Sequence, residues 1–343
     1  MTKTPSTPTF ALGRFSIAGS APFAGVVVDE RVVAIEALAP LWRAQGHKIT
    51  RDATMQDLLE DWDTALAAIE AALQADGADP TDQRLPWTPV SALQVHAPLA
   101  HPGTIYCSGA NYRKHVIDII LAGGGEPGTE HFTMEQRRAH GMQLMDERAA
   151  HGKPFVFFKS ASAIVGPFDE VVLPKTVQKP DWELELGVVI GKPARRVGRA
   201  EALDYIGGYV VLNDITSRDL VNRPDVPMMG MDWMASKSSP TFLPLGPYLV
   251  PARFVGNPQD LRITLKLNGQ VMQDESTADM IFDVARLIEF ISSHVQLLPG
   301  DLIATGSPAG NGIHHGRLLR PGDVMEGSIT GLGTQRNPCI AER

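Results

Sequence analysis

The stretch Asp181-Trp-Glu-Leu-Glu-Leu-Gly-Val-Val-Ile-Gly191 constrains this chain more than any other. Trp182, Leu184, Leu186, Val188 and Ile190 recur at every second residue, the period of a β-strand. Glu183 and Glu185 then share the opposite face. At a rise of about 3.3 Å per residue, their Cα atoms lie roughly 6.6 Å apart. A lone Glu-x-Glu is ordinarily a solvated strand face. Here Val189 continues the glutamate face and is apolar, so the strand reads as buried on both sides. Two unpaired carboxylates would be costly in that position, and one would be pushed toward its protonated form. At this spacing they can converge on one cation.

A third acid is at hand. Tyr205–Asn213 reads as an apolar, glycine-containing strand that ends at Asp214. Glu183, Glu185 and Asp214, with no His or Cys triplet nearby, would make an oxygen-only site. That favours Mg²⁺ or Mn²⁺, allows Ca²⁺ and disfavours Zn²⁺. Three carboxylates around a divalent ion leave a net charge of about −1, so a cationic side chain is expected close by. Lys237, in the apolar and proline-rich Asp232–Pro247 region, is the leading candidate. His115 and Asp118 are three apart on a helix-like segment, hence on one face. A carboxylate placed there can orient the imidazole and raise its basicity. His314-His315 reads as loop, because adjacent residues do not face together.

Composition narrows the function classes. The 343 residues carry a formal net charge of −8, which counts against a sequence-independent nucleic-acid binder. Two cysteines, Cys107 and Cys339, exclude a disulfide scaffold and zinc-finger sites. No signal peptide and no membrane span are expected, and a cytoplasmic protein is the default reading. The 32 glycines and 26 prolines favour many tight turns and short strands over a helix bundle. Gly123-Gly-Gly-Glu-Pro-Gly128 matches G-x-G-x-x-G, but Pro127 and the lack of a βαβ setting make it a weak dinucleotide signal. There is no nucleophile elbow and no P-loop.

Two units are expected: residues 1–100 as a small N-terminal accessory domain with linker, and 101–343 as the unit that carries the chemistry. In the first, Phe10–Ile17, Phe23–Val28 and Arg31–Leu38 read as strands. Met55 to Leu73 reads as one amphipathic helix, capped by Thr54 with Asp57 and stopped at Gly77. Residues 77–104 read as linker. In the second, Trp182–Ile190, Tyr205–Asn213, Leu261–Leu267, Leu302–Ala304 and Val324–Ile329 read as strands. Met280 to Ile291 reads as a helix capped by Ser276 or Thr277. Residues 119–153, with glycines at 123–125 before a helix from Thr133 to Ala150, suggest a lid or a decorated surface loop.

Several ordered motifs together resemble the fumarylacetoacetate hydrolase family over about residues 100–340. They are Gly109-Ala-Asn-Tyr-Arg-Lys-His115, Pro154-Phe-Val-Phe-Phe-Lys159, Glu183-Leu-Glu185, Gly208-Tyr-Val-Val-Leu-Asn-Asp214 with Arg218-Asp219, Lys237-Ser238 with Gly246-Pro247, and Pro299-Gly-Asp-Leu-Ile-Ala-Thr-Gly-Ser-Pro308. The resemblance implies an α+β fold: a mixed β-roll or β-sandwich catalytic domain behind a small N-terminal α/β accessory domain, usually paired as a homodimer. It implies that Glu183, Glu185 and Asp214 bind Mg²⁺ or a similar ion. It implies that His115, with Asp118, activates water, that Lys237 stabilises an enolate, and that Tyr112, Arg218, Gly306 and Ser307 contact a small oxo-acid substrate. The implied reaction is hydrolysis of a carbon–carbon bond in a 1,3-dicarbonyl such as an acylpyruvate. Oxo-acid decarboxylation, tautomerisation and dehydration use the same enolate chemistry and are the alternatives.

Overall fold

The computed structural model describes residues 9–44, 46, 53–75, 85–122 and 128–343. It mixes helices with three main sheets. A six-stranded sheet lies at the centre, in the order Val250–Pro251, Ile206–Asn213, Leu184–Ile190, Leu302–Ala304, Ile105–Gly109, Phe155–Phe158. It is antiparallel except where Leu302–Ala304 runs parallel to Ile105–Gly109. A five-stranded sheet covers one face, in the order Gln270–Ser276, Arg262–Leu267, Val324–Ile329, Gly333–Ala341, Val171–Leu173. A second five-stranded sheet, Thr88–Pro89, Arg31–Ala34, Phe23–Val28, Ala11–Ser16, Gln94–His96, belongs to the N-terminal part.

The period-two pattern at Leu184–Ile190 sets this layering. Leu184, Leu186 and Val188 join one apolar cluster with Ile263, Leu265, Met325 and Ile329 of the covering sheet. Val189, on the glutamate face, joins a second cluster with Leu58, Leu59, Trp62 and Leu66 of the N-terminal helices. Each fully buried Leu or Val contributes roughly 1.5–3 kcal/mol over an exposed one. The strand is buried along its whole length, as its sequence predicts.

Local differences have local causes. Residues 35–38 are helical, because Arg31–Ala34 hands over directly to the helix Ile35–Ala44. The run from Met55 to Leu73 is two helices, Met55–Glu60 and Trp62–Ala75, since Asp61 leaves helical geometry at φ −132°, ψ 58°. The Thr54–Asp57 capping box is present. Gly77 lies outside the described residues. Within 77–104, Thr88–Pro89 and Gln94–His96 pair with Arg31–Ala34 and Ala11–Ser16, so that stretch supplies strands. Asp29 and Glu30, with φ of 46° and 62°, form the tight turn between their strands.

Asp283, not Ser276 or Thr277, caps the helix Val284–His294; its side chain accepts from the N–H of Arg286. Met280 and Ile281 precede that helix, and Met280 bridges to Tyr112. The helix Met134–His151 stands where 133–150 predicts one, capped by Thr133 with Gln136. Residues 123–127, the glycine hinge of the expected lid, lie outside the described residues. Among the described residues, no helix is long and apolar enough to cross a membrane.

Candidate active site

Glu183 and Asp214 meet where two central strands begin and end. The N–H of Asp214 donates to the carbonyl of Glu183 at 2.8 Å, and the N–H of Glu183 to the Asn213 amide oxygen at 2.9 Å. Glu185 follows two residues on, on the same face. One carboxylate oxygen from each of Glu183, Glu185 and Asp214 lies within 4.8 Å of the others. All three side chains are buried.

Cations surround two of the three. The short helix Trp233–Lys237 delivers the Lys237 ammonium between Glu183 and Asp214, 2.5 Å from Oε2 of the first and 2.5 Å from Oδ2 of the second. Lys159, wholly buried after strand Phe155–Phe158, donates to Oδ1 of Asp214 at 2.7 Å and to the Ile215 carbonyl at 3.1 Å. Arg218 lies 2.5 Å from Oε1 of Glu183 and donates through Nε to Asp181 at 2.9 Å. Burial alone would push Glu183 up, but the Arg218 and Lys237 charges outweigh it and hold it well below the usual range. Burial opposes the Lys237 charge as well, and Asp214 and Glu183 more than restore it.

Glu185 differs. Its carboxylate accepts from the backbone N–H of Gly306 at 2.7 Å. Burial, reinforced by Asp214 and Glu183, pushes it well above the ordinary carboxylate value. A hard divalent ion among the three carboxylates would remove this penalty, and an all-oxygen donor set suits such an ion. The residues therefore fit a divalent metal centre.

His115 lies on the helix Arg113–Ala122, beyond Ala110 (φ 52°) and the buried Asn111. The Asn111 amide fixes this turn by donating to the carbonyls of Thr305 and Phe282 at 2.8 and 3.0 Å. His115 is 6% exposed, and among the described residues its Nδ1 has no hydrogen-bond partner. Burial lowers its pKa to about 3, against the opposing pull of Glu183.

The other sequence-predicted residues are placed as follows. Asp118 has no hydrogen bond to His115; it lies 3.8 Å from Arg138. Its short arm keeps it at the half-exposed side of the helix, and the ring that meets His115 is instead His314, edge-on at 5.4 Å. Tyr112 is wholly buried, and its phenol is pushed well up by burial and by Glu185. Gly306 reaches the triad through its N–H. Ser307 lies beside it, its hydroxyl engaged by the amides of Gln273 and Asn311 at 3.1 and 3.0 Å. Arg218 is committed to Asp181 and Glu183.

Lys159, Asp181 and His314 are site residues to which sequence reasoning gave no role. Asp181 is wholly buried and joins Arg218 to the turn Gly312–His315, accepting from the N–H of Gly312 at 2.6 Å and of Ile313 at 3.2 Å. Its position before Glu-Leu-Glu was the available signal.

A buried carboxylate triad with intruding lysines, on a mixed sheet covered by a second sheet, has the donor set of an enzyme site that could hold a divalent metal. Residues 104–340 match the fumarylacetoacetate (FAA) hydrolase C-terminal family, and the chain belongs to it. The chain is 46% identical over 273 residues to a 2,4-didehydro-3-deoxy-L-rhamnonate hydrolase of Sphingomonas sp. (strain SKA58), covering 78% of this chain and 83% of the relative. It is 33% identical over 289 residues to a mitochondrial oxaloacetate tautomerase of Bos taurus, covering 84% and 80%. Among solved structures it is similar to a maleylpyruvate hydrolase from Sphingobium sp. SYK-6 in complex with manganese(II) ion and pyruvate. That likeness has a TM-score of 0.70 and 27% identity, and covers 97% and 100% of the two chains.

Proposed function

We propose that this enzyme hydrolyses the carbon–carbon bond between the two carbonyls of a 2,4-dioxo acid, with Mg²⁺ as its metal. The observation that carries the reading is the pairing of the Glu183–Glu185–Asp214 triad with Lys237 and a buried, neutral His115. The 46%-identical relative, a hydrolase of a didehydro-deoxy sugar acid, supports the substrate class.

Glu183, Glu185 and Asp214 would hold the ion, which supplies Lewis acidity toward the oxygens of a 1,3-dicarbonyl. His115 takes a proton from water as the water oxygen bonds to the C4 carbonyl carbon. The C3–C4 bond then breaks, and its electron pair becomes the pyruvate enolate. Lys237 stabilises that negative charge. The proton then passes from His115 to C3 of the enolate. One water is consumed, and pyruvate and a carboxylic acid leave.

Tautomerisation is the second reading, favoured by the oxaloacetate tautomerase relatives. It needs the same enolate stabilisation and consumes no water. Homodimeric assembly is proposed with either reading. The test is a screen of 2,4-dioxo acids and oxaloacetate with Mg²⁺, products identified by mass. Two carbon fragments support hydrolysis; enol absorbance of oxaloacetate that decays faster with enzyme than without it, at an unchanged formula, supports the tautomerase; enzyme-dependent CO₂ contradicts both. Activity that persists in EDTA would contradict the metal assignment.

A further inference from the structure

His314 is not needed for the reaction just described, yet the fold holds its ring firmly against His115. The turn Gly312–His315 that carries it is tied to the metal-site strand. Asp181 accepts from the N–H groups of Gly312 and Ile313, and the Asn311 amide donates to the Trp182 carbonyl at 2.9 Å. The docking is close: a Cβ at Gly312 would stand 2.6 Å from Oδ1 of Asp181 and 2.9 Å from the Trp182 ring. The imidazoles of His314 and His115 meet edge to face at 5.4 Å and 86°. Nε2 of His314 and Nδ1 of His115 are both buried, and among the described residues neither has a hydrogen-bond partner. Orphaned polar atoms of this kind call for an explanation, and a ligand is one.

The surroundings limit what that ligand group is. Arg218 is committed to Asp181 and Glu183, and Arg138 lies beside Asp118. Burial works against protonating either ring; the pull of Asp118 and Asp181 on His314, and of Glu183 on His115, is opposed by Arg218, and on His115 by Lys237 as well. Two uncharged rings offer a carboxylate no counter-charge of their own. A hydroxyl can both donate to and accept from neutral imidazole nitrogens. His115 acts at the distal carbonyl in the hydrolase reading, and the His314 ring, with its centroid 5.4 Å from that of His115, is within reach of a group on the next carbon.

We propose that His314, with His115, forms a subsite for a hydroxyl on the carbon beyond the distal carbonyl, so that His314 selects hydroxylated 2,4-dioxo acids. The assignment rests on the hydrolase reading and adds a specificity-determining residue to it.

The test compares 5-hydroxy-2,4-dioxopentanoate with 2,4-dioxopentanoate, which differ by that hydroxyl alone. His314→Phe lowers the ratio of kcat/KM between the two about 10-fold, the cost of one lost hydrogen bond, and the change resides in KM. His314→Gln, which keeps a donor and an acceptor, restores part of the preference. The same ratio in wild type and both variants would overturn the proposal, whether or not overall activity or thermal stability falls. Wild-type protein inert toward both acids would overturn the hydrolase reading, and this subsite with it. Wild-type turnover with an unchanged ratio in the variants would overturn the subsite alone.

Discussion

The backbone N–H of Gly306 donates to Oε2 of Glu185 at 2.7 Å, so the turn after strand Leu302–Ala304 directly orients one carboxylate of the acidic triad. Gly306 holds φ at 100°, and a Cβ there would stand 2.9 Å from Cβ of Asn111 and 3.0 Å from the Ser108 carbonyl. Gly306→Ala should therefore strain the turn by about 1–3 kcal/mol and misplace Glu185. Thermal unfolding should show a lower Tm, and calorimetric titration a weaker affinity for divalent metal. A variant with wild-type Tm and metal affinity would contradict this role.

Metal binding should release a proton. Burial and its two acidic neighbours push Glu185 well up, and the carboxylate must be ionised to ligate. Affinity should rise with pH, because binding displaces the proton that burial favours on Glu185. Calorimetry in buffers of different ionisation enthalpy measures this directly. Glu185→Gln should abolish the release, and a binding heat independent of buffer would count against it.

Asp181 should be a stability residue as well as a positioning one. It is wholly buried and joins Arg218 to the Gly312–His315 turn. Asp181→Ala removes one partner of a buried ion pair and orphans two backbone N–H groups, a loss of about 3–5 kcal/mol. The denaturant midpoint should fall with an unchanged m-value, and a shift below 1 kcal/mol would contradict the argument.

The pH dependence has a defined sign. Burial lowers His115 to about 3 in the folded protein, whereas an unfolded histidine titrates near its ordinary value of about 6.5. The unfolded chain takes up the proton first as pH falls. Stability from this group is complete above about pH 6.5 and is lost as pH drops from there toward 3. Chelator-treated wild type should lose stability more steeply than His115→Asn between pH 6.5 and 4. Parallel curves would show that His115 is not buried in its neutral form.

The sequence made the catalytic strand legible because a strict period-two pattern leaves only one way to face its side chains. Glu183, Glu185, Asp214 and Lys237 converge because each sits at a strand end or on a short helix packed against one. Residues whose roles depend on distant partners were less legible. Lys159 lies in a quoted motif, but its reach to Asp214, 55 positions away, is set by the sheet. His314 was discounted because adjacent histidines do not face together. That is true of His315, but a single ring suffices to meet His115. Asp118 fits helical spacing, yet three residues along a helix bring it to the same side without bringing it to the ring. In the N-terminal sheet, Thr88–Pro89 and Gln94–His96 are too short to announce themselves, and pairing rather than pattern defines them.

The central claim is that water enters the substrate at the distal carbonyl while His115 and Lys237 handle the proton and the enolate charge. Reaction of 2,4-dioxopentanoate in ¹⁸O-labelled water with Mg²⁺, followed by mass analysis of freshly formed products, tests it most directly. The account predicts pyruvate and acetate, with the label in the acetate carboxyl group and no fragments from Glu183→Ala or His115→Ala. Substrate recovered with an unchanged formula, or release of CO₂ without acetate, would contradict it.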